Sequence, residues 1–172
     1  MMLKKLPAAV ALATLTAFAG SAFAQVKVGV IASSTGPTAL VAIPQKNTVP
    51  LLPTKVGDLT VEYITLDDAS DSTASVTAVK KLLSEQKVDA IIGPSGSPNA
   101  MGAIQFVAEA GTPMLAPVGT AAVVLPMTEQ KKWVFKTTQN DDIIAEALIE
   151  HMSKTGINPY DYLVDVLQRI GQ

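Results

Sequence analysis

The stretch from Val88 to Thr120, VDAIIGPSGSPNAMGAIQFVAEAGTPMLAPVGT, constrains the fold more than any other part of the chain. Val88 to Ile92 is a short apolar run rich in β-branched residues, stopped by Gly93-Pro94, and reads as a buried strand. Ser97-Pro98 reads as an N-cap followed by proline at the first helical position. Ala100, Ile104, Val107 and Ala108 follow at helical spacing, and Gly111 ends the helix. Pro113 to Pro117 is the next strand, and Val118-Gly119-Thr120 the turn at its end. Strand, turn, helix, strand is the signature of a parallel βα layer.

That order has a chemical consequence. A helix N-terminus presents unpaired N–H groups and about half a positive charge. A serine hydroxyl beside it completes a cradle for a carboxylate or phosphate. Ligands of open α/β sheets bind outside the carboxyl ends of strands, and consecutive strands usually neighbour each other. Ser97, the backbone of Val118 and Gly119, and Thr120 are therefore candidates to converge on one small anion. The alternative is that Ser97 only caps a helix and Thr120 only shapes a turn.

The rest of the chain repeats the alternation. Val26 to Ile31 is a first strand, and Ala32 to Thr38 a polar loop at its carboxyl end. Ala39 to Leu52 reads as a helix with Pro44 near its first turn. Pro50 costs about 3 kcal/mol in a helix interior, so a kink or early end is expected there. Leu59 to Leu66 is a second strand, followed by the acidic turn DDASDS and a helix over Ser72 to Gln86. Val76, Val79, Leu82 and Leu83 form the buried face of that helix, and Lys81 and Glu85 are spaced to pair. Trp133 to Lys136 reads as a trailing strand. Asp141 and Asp142 open a helix that buries Ile143, Ile144, Ala147 and Leu148 and stops at Gly156. About four strands plus the trailing one imply a three-layer α/β fold, a mostly parallel sheet with helices on both faces.

Residues 1–24 read as a secretory signal: Lys4 and Lys5, an apolar stretch from Leu6 to Phe18, and Ala22-Phe23-Ala24 as an A-x-A cleavage site. The stretch is short for a membrane anchor. Without Lys4 and Lys5, 11 basic residues face 15 acidic ones, a net charge of −4. That argues against a nucleic-acid partner, which needs clustered basic residues. The chain has no cysteine, which excludes disulfides, thiolate metal sites and cysteine nucleophiles.

Catalytic and cofactor signals are weak. GPSGSP lacks the Gly-Lys-Ser/Thr of a P-loop, and VGVIASSTG lacks G-x-G-x-x-G. The one histidine, His151, lies in a helix beside Lys154 and reads as a surface residue. Asp67, Asp68 and Asp71 suggest a helix-capping acidic turn, with a loose cation site as the alternative. Trp133 reads as core or hinge packing. No cofactor or metal is expected.

Residues 1 to about 156 resemble the first lobe of periplasmic solute-binding proteins of the branched-chain amino acid transport family. The marks are VKVGVIASSTGP after a signal segment, IPQKNTVPLLP, LDDASD, KKLLSEQKVDAIIGPSGSPNA, GTPMLAPVGTAAVV and WVFKTTQNDD, in that order. The resemblance implies two α/β lobes closing on a small amino acid such as leucine, isoleucine or valine, delivered to an ABC transporter permease. It implies no enzymatic activity. It places the α-carboxylate on Ser97, Val118 and Thr120, with Gly119 between them, and a further contact near Val41, where other members can carry an aromatic residue. It assigns the acidic partner of the α-ammonium to a second lobe that the chain does not contain. The implied division is a signal (1–24), the first lobe (25–140), the first helix of the second lobe (141–156) and a divergent tail (157–172).

In that tail, Asn158-Pro159 caps an amphipathic helix with Leu163, Val166, Leu167 and Ile170 on one face. The run is similar to the C-terminal end of certain insertion-sequence transposases, which implies a gene junction; an ordinary amphipathic helix is the alternative. The functional expectation is a periplasmic receptor impaired by truncation. A non-functional remnant and, less favoured, a small exported hydrolase are the alternatives.

Overall fold

Each apolar run becomes a strand because its alternate residues have two different faces to fill. The computed structural model describes residues 25–170; the expected signal segment lies outside them. Six strands form one sheet: β1 (Gln25–Ile31), β2 (Lys55–Val56), β3 (Leu59–Leu66), β4 (Ala90–Ile92), β5 (Met114–Ala116) and β6 (Val134–Lys136). Their order is β2-β3-β1-β4-β5-β6. All pairings are parallel except the β2–β3 hairpin. β1 is flanked by β3 and β4, so the chain winds to one side and then to the other. That reversal is the topological switch point at which such sheets bind ligands.

Among the described residues, five α-helices accompany the sheet: α1 (Ala39–Thr48), α2 (Ser72–Lys81), α3 (Ser97–Ala110), α4 (Asp141–Lys154) and α5 (Pro159–Ile170). Side chains alternate across a strand, and the register assembles two rows. Gly29, Ile91, Met114 and Val134 form one row. It lies under α2, the turn that continues it, and α3; Val79 of α2, Leu82 just beyond its end, and Ala103 and Val107 of α3 complete the main core. Ile91 and Met114 are fully buried and Val134 nearly so. A Cβ on Gly29 would stand 2.6 Å from Leu82 Cδ1, so glycine is what lets the helix approach β1 so closely.

Val30, Ile92, Leu115 and Phe135 form the second row, on the opposite face. Among the described residues, α1 and the 3-10 turn after it lie over this face, around a cavity they share with Val30 and Ile92. Exposure climbs along the row from 5% at Val30 to 54% at Phe135. Among the described residues, no helix is long and apolar enough to cross a membrane.

The structure corrects several expectations. β2 was not expected; two residues carry too little pattern to mark a strand. β4 starts at Ala90, because Val88 closes the turn before it, its N–H bonded to Leu82 O. α1 ends at Thr48 and passes into a 3-10 turn at Val49–Leu51, as Pro50 demands, but Pro44 lies inside the helix rather than at its first turn. α2 continues into a π turn, Leu82–Gln86. That turn changes the helical spacing, and Lys81 and Glu85 are not paired. Trp133 belongs to a 3-10 turn before β6 and is half-buried against the main core. Ile143, Ile144 and Leu148 do not bury a face of α4: each is more than half exposed, and only Met152 of that helix is buried.

Candidate functional site

Five loops leave the carboxyl edge of the sheet, and polar bonds organise them into two groups. The first joins the β1 and β3 loops. Asp67 accepts from Ser34 Oγ (2.8 Å), from the N–H of Ala69 (2.9 Å) and from the N–H of Thr35 (3.4 Å). Partial burial works to raise its pKa, but these hydrogen bonds outweigh it and hold the carboxyl below its ordinary value. Asp68 is fully buried and accepts from Asn99 Nδ2 at 2.7 Å, tying this loop to the first turn of α3. Asp71 caps α2 through the Ala74 N–H at 2.7 Å. Each carboxylate therefore has its own structural donors, which supports the capping reading. No cluster of three candidate metal ligands forms among the described residues.

α1 is fastened across this edge by side chains. Lys46 Nζ donates to Ser34 Oγ at 3.4 Å, and Ser95 Oγ donates to Gln45 Oε1 at 2.6 Å. Beneath α1 lies an apolar cavity of about 390 Å³, lined by Val30, Pro44, Val49, Ile92, Gly93 and Pro117 among others. It opens behind the turns that follow β4 and β5.

The second group contains the expected anion cradle. Ser97 was expected to be the N-cap of α3. The cap is Gly96, in an extended conformation, and Ser97 is the first helical residue. The local reason is the bend Gly93 to Gly96, which brings the Gly96 carbonyl into line to accept the first helical bond from Ala100. The Ser97 hydroxyl is therefore not spent on the helix. It is half-buried at the positive end of α3 and has no hydrogen-bond partner among the described residues.

On the neighbouring strand, Val118 is buried and its carbonyl accepts from Thr138 Oγ1 at 2.6 Å. Thr120 caps a 3-10 turn, Ala121–Val123, by accepting from the Ala122 N–H at 3.2 Å. Its hydroxyl proton is free for another acceptor. β4 and β5 pair in register, Ile92 opposite Leu115, so the Ser97 and Thr120 turns leave adjacent strand ends. Val41, expected near a loop, sits in the first turn of α1 with its side chain 62% exposed, outside the cavity lining.

One site residue was not anticipated. The Asp141 N–H bonds to Gly119 O at 3.1 Å, and the Asp141 carboxylate packs against the Gly119 α-carbon. A Cβ at residue 119 would collide with both carboxylate oxygens, so the Asp141 side chain could keep this position only beside a glycine and would otherwise have to turn aside. An acidic group thus stands beside the turn chosen for an anion. The sequence signal was the Asp141-Asp142 pair, whose role at a helix N-terminus masked this second contact. His151 lies exposed on α4, ten residues along the helix from Asp141.

Comparison with known proteins agrees with this architecture. A family model described as periplasmic binding protein matches residues 25–160. An extracellular ligand-binding receptor from Rhodopseudomonas palustris HaA2 is 44% identical over 77% of this chain, with a TM-score of 0.74. A solute-binding protein of an ABC transporter from R. palustris, solved with 4-hydroxybenzoate, is 27% identical over 74% of the chain, with a TM-score of 0.63. A leucine binding protein from Thermotoga maritima MSB8 shares the fold at 24% identity over 76% of the chain, with a TM-score of 0.65. The chain spans 37%, 36% and 38% of the lengths of these three structures. No curated protein matches it. With its parallel sheet, its switch point at β1 and its unspent hydroxyl at the start of α3, the chain belongs to the periplasmic binding protein family of solute receptors.

Proposed function

We propose that the chain captures a small α-amino acid at the carboxyl edge of its sheet, as the solute-binding part of an ABC importer. Residues 1–24 would export it to the periplasm. The Ser97 hydroxyl, the α3 N-terminus, the Val118–Gly119 backbone and Thr120 hold the carboxylate. Val41 is the residue of α1 assigned to the ligand's outer side.

The observation that carries the reading is Asp141 beside Gly119. A bare carboxylate in this turn meets a like charge, whereas a zwitterion brings an ammonium to it. Asp141 thus supplies from within the chain an acidic partner of the kind expected from a second lobe. An aromatic acid is the second reading. It is favoured by the relative solved with 4-hydroxybenzoate and by the apolar cavity behind Gly93 and Pro117.

Affinity should be weak. An intact receptor encloses its ligand between two lobes, whereas here Asp141 is exposed and an ion pair in contact with water contributes only about 0–1 kcal/mol. The test is a ¹H–¹⁵N correlation spectrum titrated with leucine and, separately, with 4-hydroxybenzoate. Leucine should shift Ser97, Gly119 and Thr120 at the higher ligand concentrations, and Asp141→Asn should abolish the preference for leucine. If 4-hydroxybenzoate moves the same peaks at lower concentration, the aromatic reading replaces this one. If neither ligand moves them, Ser97 and the turn after β5 are not a site. Clear micromolar binding of leucine would show that the single lobe encloses its ligand unaided.

A further inference from the structure

The start of α3 departs from the preferences of its own sequence. Serine is a better N-cap than glycine, and proline is favoured at the position after the cap. Both rules select Ser97 as the cap, with Pro98 first in the helix. The structure has Gly96 as the cap and Ser97 inside the helix. Sterics do not impose this. A Cβ on Gly96 would meet nothing nearer than Asn99 Cγ at 3.4 Å, and glycine tolerates either backbone conformation. The bonds of Asn99 to Asp68 and Ser72 do not impose it either, because Asn99 is helical whichever residue is the cap. Gly93, bonded through its N–H to Leu115 O at 2.9 Å, fixes the end of β4 in both cases. The contact that bears on the bend itself is made by Ser95. Its Oγ donates to Gln45 Oε1 of α1 at 2.6 Å, between residues 50 apart in sequence.

We infer that Gln45 is a positioning residue: through Ser95 it holds the cap at Gly96 and so keeps the Ser97 hydroxyl off the helix and available to a ligand. The functional consequence rests on the carboxylate site proposed above. Packing gives this bond little support. α1 buries only Ala42 among its ten residues, and Gln45 and Gly93 line the same cavity of about 390 Å³. A void stands where side chains would otherwise keep helix and bend together. Without the bond, the cap slips one residue to Ser97. The serine oxygen then accepts from the Asn99 or Ala100 N–H, occupying groups at the helix end that a carboxylate would use. A hydrogen bond of this kind shifts such an equilibrium by about two- to tenfold.

Carbon-13 shifts of Ser97 in the ligand-free chain test this, because they separate helical from extended backbone. Gln45→Met keeps the length and helix preference of the side chain and removes the acceptor. It should move the Ser97 Cα and Cβ shifts from the helical toward the extended side, and Ser95→Ala should move them the same way. Gln45→Glu, which still offers Ser95 an acceptor, should leave them in place. Unchanged Ser97 shifts in Gln45→Met and Ser95→Ala would overturn the inference, as would an equal displacement in Gln45→Glu. So would matching displacements at Ile104 and Val107, which would mean that the whole helix had loosened. Leucine titration supplies the second readout. Gln45→Met should weaken the leucine response at Ser97 about two- to tenfold, and an unchanged response would overturn the link to the site. A parent chain that ignores leucine removes the carboxylate reading alone, and the ligand-free shifts still decide the role of Gln45.

Discussion

The two faces of the central sheet are built from the same strands and the same kinds of residue, yet they have different fates. Under α2 and α3, the row Gly29, Ile91, Met114 and Val134 is closed off from water. On the opposite face, the row Val30, Ile92, Leu115 and Phe135 opens progressively, until Phe135 is 54% exposed. Burial there follows distance from α1. The first face is held by interlocking apolar side chains. The cover on the second face is fastened largely by polar bonds, from Lys46 to Ser34 and from Ser95 to Gln45. Apolar content in a strand therefore does not by itself say that the strand is covered.

Adjacent residues of β5 give the largest contrast. Met114 is fully buried on the first face, and Leu115, its neighbour, points to the second and is half-buried. Met114→Ala should cost about 2–5 kcal/mol, the range for a fully buried large side chain. Leu115→Ala should cost well under half of that, because its surroundings already include water. Urea unfolding midpoints of the two variants decide it. Equal losses would break the comparison and mean that the second face is covered in solution.

Gly29 sharpens the same contrast from the backbone side. Its missing side chain is the space into which Leu82 packs, with a Cβ only 2.6 Å from Leu82 Cδ1. Gly29→Ala should overpack this contact and cost about 1–3 kcal/mol. Pairing it with Leu82→Ala should recover part of that loss, a coupling a double-mutant cycle would read. Additive losses would mean that Leu82 moves aside freely and that the first face is looser than its burial indicates.

How much of this was legible in the sequence depends on the range of the interaction. The strands β1, β3 and β5 and the helix α3 were readable because apolar periodicity and the stops at Gly93-Pro94 and Gly111 are local signals. So was the placing of Ser97 and Thr120 at adjacent strand ends, because consecutive strands pair. The cap itself was misread by one residue: serine is the commoner N-cap, but the bend before α3 gave that place to Gly96. The π turn after α2 follows from packing, not from propensity. Asp141 against Gly119 joins residues 22 apart in sequence through the placement of β6, which no spacing rule marks. Ile143, Ile144 and Leu148 show the limit most clearly. Their periodicity identifies an apolar face correctly, and nothing in a periodicity states what stands opposite it.

The smallest expected effect concerns the polar fastening of the second face. Asp67 anchors the loop that leads into α1, and its carboxyl is held below the ordinary value of 3.8. A carboxyl whose folded pKa is lowered binds its proton less readily folded than unfolded. Its contribution is therefore complete above pH 3.8 and is lost as pH falls through the lowered folded value. Asp67 is exposed, so solvent screening keeps the contribution small. It should nonetheless be local. As the pH drops below about 3.8, amide exchange in α1 should accelerate, after correction for the intrinsic pH dependence, before that of α2 or α3. The Asp67→Asn variant should already show the faster α1 exchange at neutral pH and add little to it in acid. Simultaneous loosening of α1 and α3 would tie the two faces into one cooperative unit, since Asp68 and Asn99 bridge the same loop to α3. Acid loosening of α1 alone would show that the second face keeps its cover by hydrogen bonds that the first face does not need.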